Sequence, residues 1–294
     1  MLDHDRGIVS ENSLKEPLDL IDLERYPLHG GNDSKLQKVI ERARDDLACD
    51  GCARIEGFIR AEMRGALGRE TTRLAPQALH SREMYTPYGS RPDDFFPIGH
   101  PRRRAHRTTS GSVTRDLIPM DTAIQRLYGA SVFQAFIAAC LETEEIHQFA
   151  DPMRGLIINN MEEGNSLGWH FDANEFIVSL MTRRADEGGV FEYCPNIRKP
   201  GDENYDEVRS VLDGTSSLVK ALDLKVGDLQ IFKGRYSLHR VNAIVSGTRH
   251  TVIFGYARQP GFIGSVASTM KVYGRVMQAH IDADGMRHAD GLAD

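Results

Sequence analysis

Gly168-Trp169-His170-Phe171-Asp172 is the stretch on which the reading of this chain turns. His170 and Asp172 are two positions apart, and on a β-strand residues i and i+2 point to the same face. An imidazole and a carboxylate would therefore stand side by side. Far downstream, Leu238-His239-Arg240 offers a second imidazole in another strand-like segment, and Arg249 follows ten positions later. Two histidines and one carboxylate can hold one face of a metal ion and leave the opposite face open. Each piece alone has a plain structural explanation: a His-x-Asp arises on strands by chance, and a single core histidine is usually just hydrogen-bonded. Their joint occurrence, in this order and each in a strand-like context, favours a metal site.

This order of His-x-Asp, a long gap, His and then Arg resembles the Fe(II)/2-oxoglutarate-dependent oxygenase superfamily. Val226-Gly227-Asp228-Leu229-Gln230-Ile231-Phe232 before His239 adds to the likeness, as does Arg249-His250-Thr251-Val252-Ile253-Phe254 beyond it. The resemblance covers Pro152 to Pro260. Its texture is nearest to bacterial hydroxylases and halogenases that act on amino acids and their derivatives. It implies an α+β protein with a double-stranded β-helix core (jelly-roll, cupin-like) and supporting N-terminal helices. It also implies His170, Asp172 and His239 as ligands of Fe(II), with 2-oxoglutarate and O2 as cosubstrates and ascorbate as a candidate reductant. Arg249 would grip the far carboxylate of 2-oxoglutarate through its two-donor fork. Thr251 shares that strand face and can add a hydroxyl bond. Trp169 and His250 alternate to the opposite faces of their strands and read as packing residues. The related halogenases carry Gly or Ala at the position of Asp172, leaving a place for chloride; the carboxylate here favours hydroxylation.

Composition sets the outer bounds. The 294 residues suffice for one large domain, and 40% hydrophobic with 27% charged residues is ordinary for a globular chain. A net charge of −6 argues against a general nucleic-acid binder. No apolar run is long enough to span a membrane, and no signal peptide is visible at Met1-Leu2-Asp3-His4-Asp5, so a cytoplasmic location is expected. Cys49-Asp50-Gly51-Cys52 has the spacing of half a zinc site, but no second pair follows it; reduced thiols are the simpler reading. No motif speaks to oligomeric state.

In chain order, residues 1–16 read as a mobile polar terminus, 17–280 as a single oxygenase domain and 281–294 as a polar tail. Within the domain, 17–150 reads as helical support, 151–260 as the jelly-roll core and 261–280 as an extension. Leu18 to Leu23 alternates like a short strand. Leu36, Val39, Ile40, Ala43 and Leu47 form one stripe of a helix that begins at Asp33 or Ser34 and stops at Gly51. Cys52–Ile55 reads as a strand, and 60–74 as a helix ending before Pro76. Residues 76–118 are irregular, Pro-rich and aromatic, with the basic run Arg102-Arg103-Arg104-Ala105-His106-Arg107. A loop of this length suggests a substrate lid whose arginines grip an acidic group, or else a solvated basic surface. Residues 120–149 suit one or two helices broken at Gly129. From Met153 onward short strands alternate with turns, as in a jelly roll, with a short helix within 202–212 and another within 262–279.

The substrate reading is a small, anionic molecule such as an amino acid or its derivative, hydroxylated at an unactivated C–H bond with release of succinate and CO2. The same iron site also serves desaturation, epimerisation and cyclisation in natural-product biosynthesis. A cupin-like metalloenzyme that does not use 2-oxoglutarate would not need Arg249, and a non-catalytic jelly-roll binder would not need all three ligands.

Overall fold

The structure is a computed structural model that describes residues 16–29, 33–80 and 84–283. The expected mobile terminus and polar tail fall outside the described residues, apart from residue 16 and residues 281–283. Local chemistry sets the first elements. Helix α1 (Ser34–Asp50) begins where the Asp33 carboxylate accepts from the Lys35 N–H at 2.7 Å. It stops at Gly51, whose φ of 63° is left-handed. Strand β1 (Cys52–Ile55) follows, then α2 (Ala61–Leu74). The expected strand at Leu18–Leu23 is instead a 3-10 turn over Pro17–Leu20 and a single bridge from Ile21 to Ile59. Pro17, with φ already helical, starts that turn.

The irregular segment holds only short strands: β2 (Leu79–His80), β3 (Met84–Tyr85), β4 (His106–Arg107) and β5 (Gly111–Thr114). Helices α3 (Ala123–Gly129) and α4 (Ser131–Cys140) break where Gly129 predicts. After β6 (His147–Gln148) come β7 (Leu156–Met161), β8 (Leu167–His170), β9 (Ile177–Arg183), β10 (Glu187–Gly188) and β11 (Phe191–Cys194). Helix α5 (Tyr205–Leu212) interrupts them, followed by β12 (Lys220–Leu222), β13 (Leu229–Phe232), β14 (Leu238–Val241), β15 (Ile244–Ser246), β16 (Arg249–Phe254) and β17 (Tyr256–Ala257). Helices α6 (Val266–Tyr273) and α7 (Gln278–Asp282) close the described chain.

Two antiparallel sheets make the jelly roll. The larger has the order β1-β13-β9-β16-β7-β5-β2 and the smaller β12-β11-β14-β8. Three strands of the larger sheet, β1, β2 and β5, lie before residue 151. Alternation divides its faces. Ile158, Val178, Leu180, Val252 and Phe254 pack outward with Met63, Leu67, Phe133 and Phe136 of the helices. The inner face carries polar side chains instead, among them Asn159, Ser179, Gln230, Arg249 and Thr251. Met161 and Phe232 of the larger sheet meet Phe191, Tyr193 and Val241 of the smaller between the layers. Behind the smaller sheet, Trp169, Cys194 and Leu238 pack on Tyr88, Phe171 and α5. No described helix is long and apolar enough to cross a membrane. All four cysteines are free, Cys49 exposed and Cys52 buried.

The helical layer thus fixes the strand whose inner face bears Arg249. Phe254, fully buried, meets the Phe133 ring edge-on at 5.3 Å between centroids. Phe254→Ala is expected to lower unfolding stability by about 3–5 kcal/mol in a denaturant titration. A loss below about 1 kcal/mol would mean that this face is not the core.

Candidate metal centre

The centre is built on one cross-strand pair. Antiparallel β8 and β14 place His170 opposite His239, with ring centroids 4.1 Å apart. Each imidazole is held by a carbonyl two residues back in its own chain. His170 Nδ1 lies 2.8 Å from the Gly168 carbonyl, and His239 Nδ1 lies 3.0 Å from that of Ser237. A carbonyl oxygen can only accept, so Nδ1 carries the proton and donates it. The lone pair is left on Nε2, the form a metal needs.

Asp172 completes the set. Its Oδ1 lies 3.7 Å from His170 Nε2, and its Oδ2 lies 3.5 Å from His239 Nε2. Donors bonded to one ion at about 2.1 Å can be at most about 4.2 Å apart, so both pairs fit. Among the described residues this is the one cluster of His, Cys, Asp or Glu groups that brings three potential ligands together. Burial, and then the His170 charge, hold His239 well below the usual imidazole range. Burial raises the Asp172 carboxyl, against the His170 and Arg198 charges that lower it. A divalent cation answers both, because it favours neutral imidazole and ionised carboxylate together.

One expectation is corrected here. Asp172 does not share a strand with His170, since β8 ends at His170. Beyond it the backbone leaves the ladder: the Phe171 N–H donates to the Pro87 carbonyl at 2.8 Å and the Asp172 N–H to that of Gly234 at 3.1 Å. The carboxylate reaches the histidines from a loop. Room for it comes from Gly234, where a Cβ would lie 2.6 Å from Asp172 Cγ. Phe191 and Phe232 wall His239, with centroids 5.7 and 4.8 Å from its ring.

Arg249 and Thr251 point to one face of β16 and are buried. Arg249 Nε and Thr251 Oγ1 have no hydrogen-bond partner in the protein. Burial alone lowers Arg249 to about 10, so it stays cationic at neutral pH without a counter-charge. A buried charge in that state calls for an anionic ligand. Arg249 lines a pocket with Phe191, which in turn abuts His239. His250 faces the other way, its Nδ1 3.4 Å from the Thr71 hydroxyl. Trp169 is likewise on the outer side, under the Arg240 guanidinium.

The basic run is partly committed elsewhere. Arg103 bonds the Phe96 carbonyl and Asp94, while Arg104 bonds Asp213 and the Leu212 carbonyl of α5. These two arginines are committed within the irregular segment and to the end of α5, and do not wait for a ligand. His106 is the member that reaches the centre. Its ring lies on Gly168, where a Cβ would be 2.7 Å from His106 Cγ. Burial, then the His170 charge, hold it at about 4. Arg198 was also not foreseen. It is buried, with its guanidinium 3.8 Å over the Phe171 ring, its Nη1 on Glu203 at 3.0 Å and its charge felt by Asp172. The glycines at 168 and 234 were the only sequence signal for these close approaches.

The family model described as Halogenase D matches residues 35–271. No curated protein matches the chain. Among solved structures, the epimerase SnoN in complex with Fe3+, alpha ketoglutarate and nogalamycin RO is similar at 15% identity and a TM-score of 0.53, covering 75% of this chain and 84% of that one. A prolyl hydroxylase from Trichoplax adhaerens, solved with a peptide of hypoxia inducible factor, is similar at 14% identity and 0.51, covering 76% and 91%. AviO1 from Streptomyces viridochromogenes Tue57 is similar at 16% identity and 0.51, covering 75% and 94%. At these identities the likeness establishes the shared jelly-roll fold.

Gly234→Ala is expected to displace the Asp172 carboxylate and weaken Fe(II) binding about 10- to 100-fold in an anaerobic titration, with circular dichroism unchanged. Equal affinity would show that Asp172 is not part of the metal-binding set.

Proposed function

The chain belongs to the Halogenase D family, and from that membership and the geometry of the centre we propose that it is an Fe(II)- and 2-oxoglutarate-dependent oxygenase that hydroxylates an unactivated C–H bond of a small molecule. The observation that carries hydroxylation over halogenation is the Asp172 carboxylate, which spans both histidines with one oxygen toward each. A halide ligand would need that place. His170, His239 and Asp172 would hold the iron, with the Nδ1 protons kept on the Gly168 and Ser237 carbonyls. Bound there, iron with 2-oxoglutarate and O2 supplies the oxidising power for C–H hydroxylation, with succinate and CO2 as the other products.

The chain's own residues do the rest. Arg249 and Thr251 take the far carboxylate of 2-oxoglutarate, which gives partners to the unpaired Arg249 Nε and Thr251 hydroxyl. Phe191 and Phe232 keep water from one side of His239. The lid segment between β3 and β4 is tied to the centre through ring contacts: Phe96 stacked on His100 at 4.2 Å, His100 tilted against Tyr205 at 4.5 Å, and Tyr88 tilted against Phe171 at 5.5 Å. An amino acid or amino-acid derivative is the substrate class that the resemblance favours. With Arg103 and Arg104 occupied, recognition of an acidic group falls to the remaining groups of the lid, Arg102 with its unpartnered Nε first, and His106 as a neutral hydrogen-bonding ring.

The test is anaerobic addition of Fe(II) and then 2-oxoglutarate to the metal-free protein. The weak visible charge-transfer band of the chelate is expected, and its loss in His239→Ala. Arg249→Ala is expected to raise the 2-oxoglutarate concentration needed by about 10- to 100-fold, the loss of a charge-assisted bond, while iron binding survives. Asp172→Gly is expected to abolish hydroxylation. Iron binding with no band would leave the metal site and remove 2-oxoglutarate; absence of iron binding would remove the whole reading.

A further inference from the structure

Outside the jelly roll, α2 and the end of β9 border an open surface cleft of about 470 Å³. Three arginines, Arg69, Arg73 and Arg183, line it, with Thr72 and Thr182 between them. It is separate from the metal centre. Arg183 pairs with His250 across β9 and β16, and the Thr182 hydroxyl donates to the His250 carbonyl at 3.3 Å, on the helix-covered side of the strand that carries Arg249.

The charges there are unbalanced. Among the described residues no carboxylate forms an ion pair with any of the three, although Arg184, the next residue, pairs with Asp223 at 2.8 Å. Glu70, whose charge Arg73 influences, is already bonded to the N–H groups of Ala123 and Ile124 at 2.8 and 3.2 Å. The chain has 42 acidic against 36 basic residues, so acids are in excess and yet are not placed here. Arg69 and Arg73 are four apart on one helix face, where like charges repel. Arg183 Nη1 donates to the Thr72 hydroxyl at 3.3 Å, which steadies the guanidinium over the cleft. Gly68 shapes the wall. A Cβ at Gly68 would come within 3.1 Å of the Thr182 carbonyl, so a side chain there would push α2 and β9 slightly apart. At Gly65 it would project toward Arg69, 3.5 Å from Nη1.

We propose that this cleft binds a phosphorylated small molecule through the Arg69, Arg73 and Arg183 guanidiniums. Planar guanidinium forks match phosphoryl oxygens in pairs. The volume is that of a small-ligand site. Three exposed arginines on an acidic protein make a local patch, which fits a small phosphorylated molecule better than a nucleic-acid backbone, which needs an extended basic footprint.

The probe is inorganic pyrophosphate, titrated by calorimetry into the full chain in phosphate-free buffer at fixed ionic strength. Saturable binding is expected. The double variant Arg69→Ala with Arg183→Ala is expected to weaken it at least about tenfold, the loss of charge-assisted bonds. Arg69→Lys, which keeps the charge and loses the fork, is expected to weaken it as well. Arg249→Ala is expected to bind as the parent does, which separates this cleft from the 2-oxoglutarate pocket. No saturable heat, or a loss in Arg249→Ala and none in the cleft variants, would overturn the proposal. Because the readout needs no iron, its failure and failure of the oxygenase reading are distinguishable.

Discussion

Pairing of β8 with β14 in one register holds the centre together. His170 faces His239 only because the ladder sets them opposite each other. A slip of one residue would turn one imidazole to the outer side, among Trp169 and Leu238. Each ring is also tied to a carbonyl two residues back, so rotamer and tautomer are set locally, in the same way, on two strands distant in sequence. The hydrophobic layers on both sides of the small sheet therefore do more than stabilise it. They fix the distance between two nitrogen lone pairs.

Arg249 places the opposite constraint on the fold. An ionised guanidinium with an unpartnered Nε is costly inside a protein, and folding must offset that cost elsewhere. The offset is at hand on the other face of the same strand, where Val252 and Phe254 are fully buried against the helices. Strand alternation thus lets one six-residue segment anchor the fold with one face and bear an unsatisfied cation on the other. A site of this kind is stable enough to stay formed and incomplete enough to favour an anion.

Much of this was legible in the sequence, for physical reasons that differ by residue. The α1 stripe, Gly51 and the Gly129 break are local signals, and local chemistry decides them. The separation of Arg249 from His250, and of His170 from Trp169, follows from period-two alternation. Asp172 reached its place by another route than the one read, because where a ladder ends depends on partners such as Pro87 and Gly234 that no local pattern announces. His106 and Arg198 were hidden for the same reason. One sat inside a run of arginines and the other in an insertion, and only the close approach of distant segments gives them a role. Leu18–Leu23 misled because five or six alternating residues suit a turn as well as a strand, and Pro17 favoured the turn.

The carboxylate raises the question of how such a chain belongs to a family described as Halogenase D. Electrostatics suggests that the two chemistries need the same slot. Burial raises the Asp172 carboxyl despite the His170 and Arg198 charges, so its ionised form waits for a cation, and Gly234 supplies space without a side chain. With a divalent cation held by the two imidazoles, one negative charge completes the set. On the proposed reading, a single position decides whether the chain brings that charge covalently or leaves it to a bound ion. Everything around it, from the paired histidines to the buried Arg249, can stay the same. On this view Asp172 closes a position in the proposed iron site that a shorter side chain would leave open. The choice between oxygen and halide transfer then rests on occupancy of that slot, with no change of fold required.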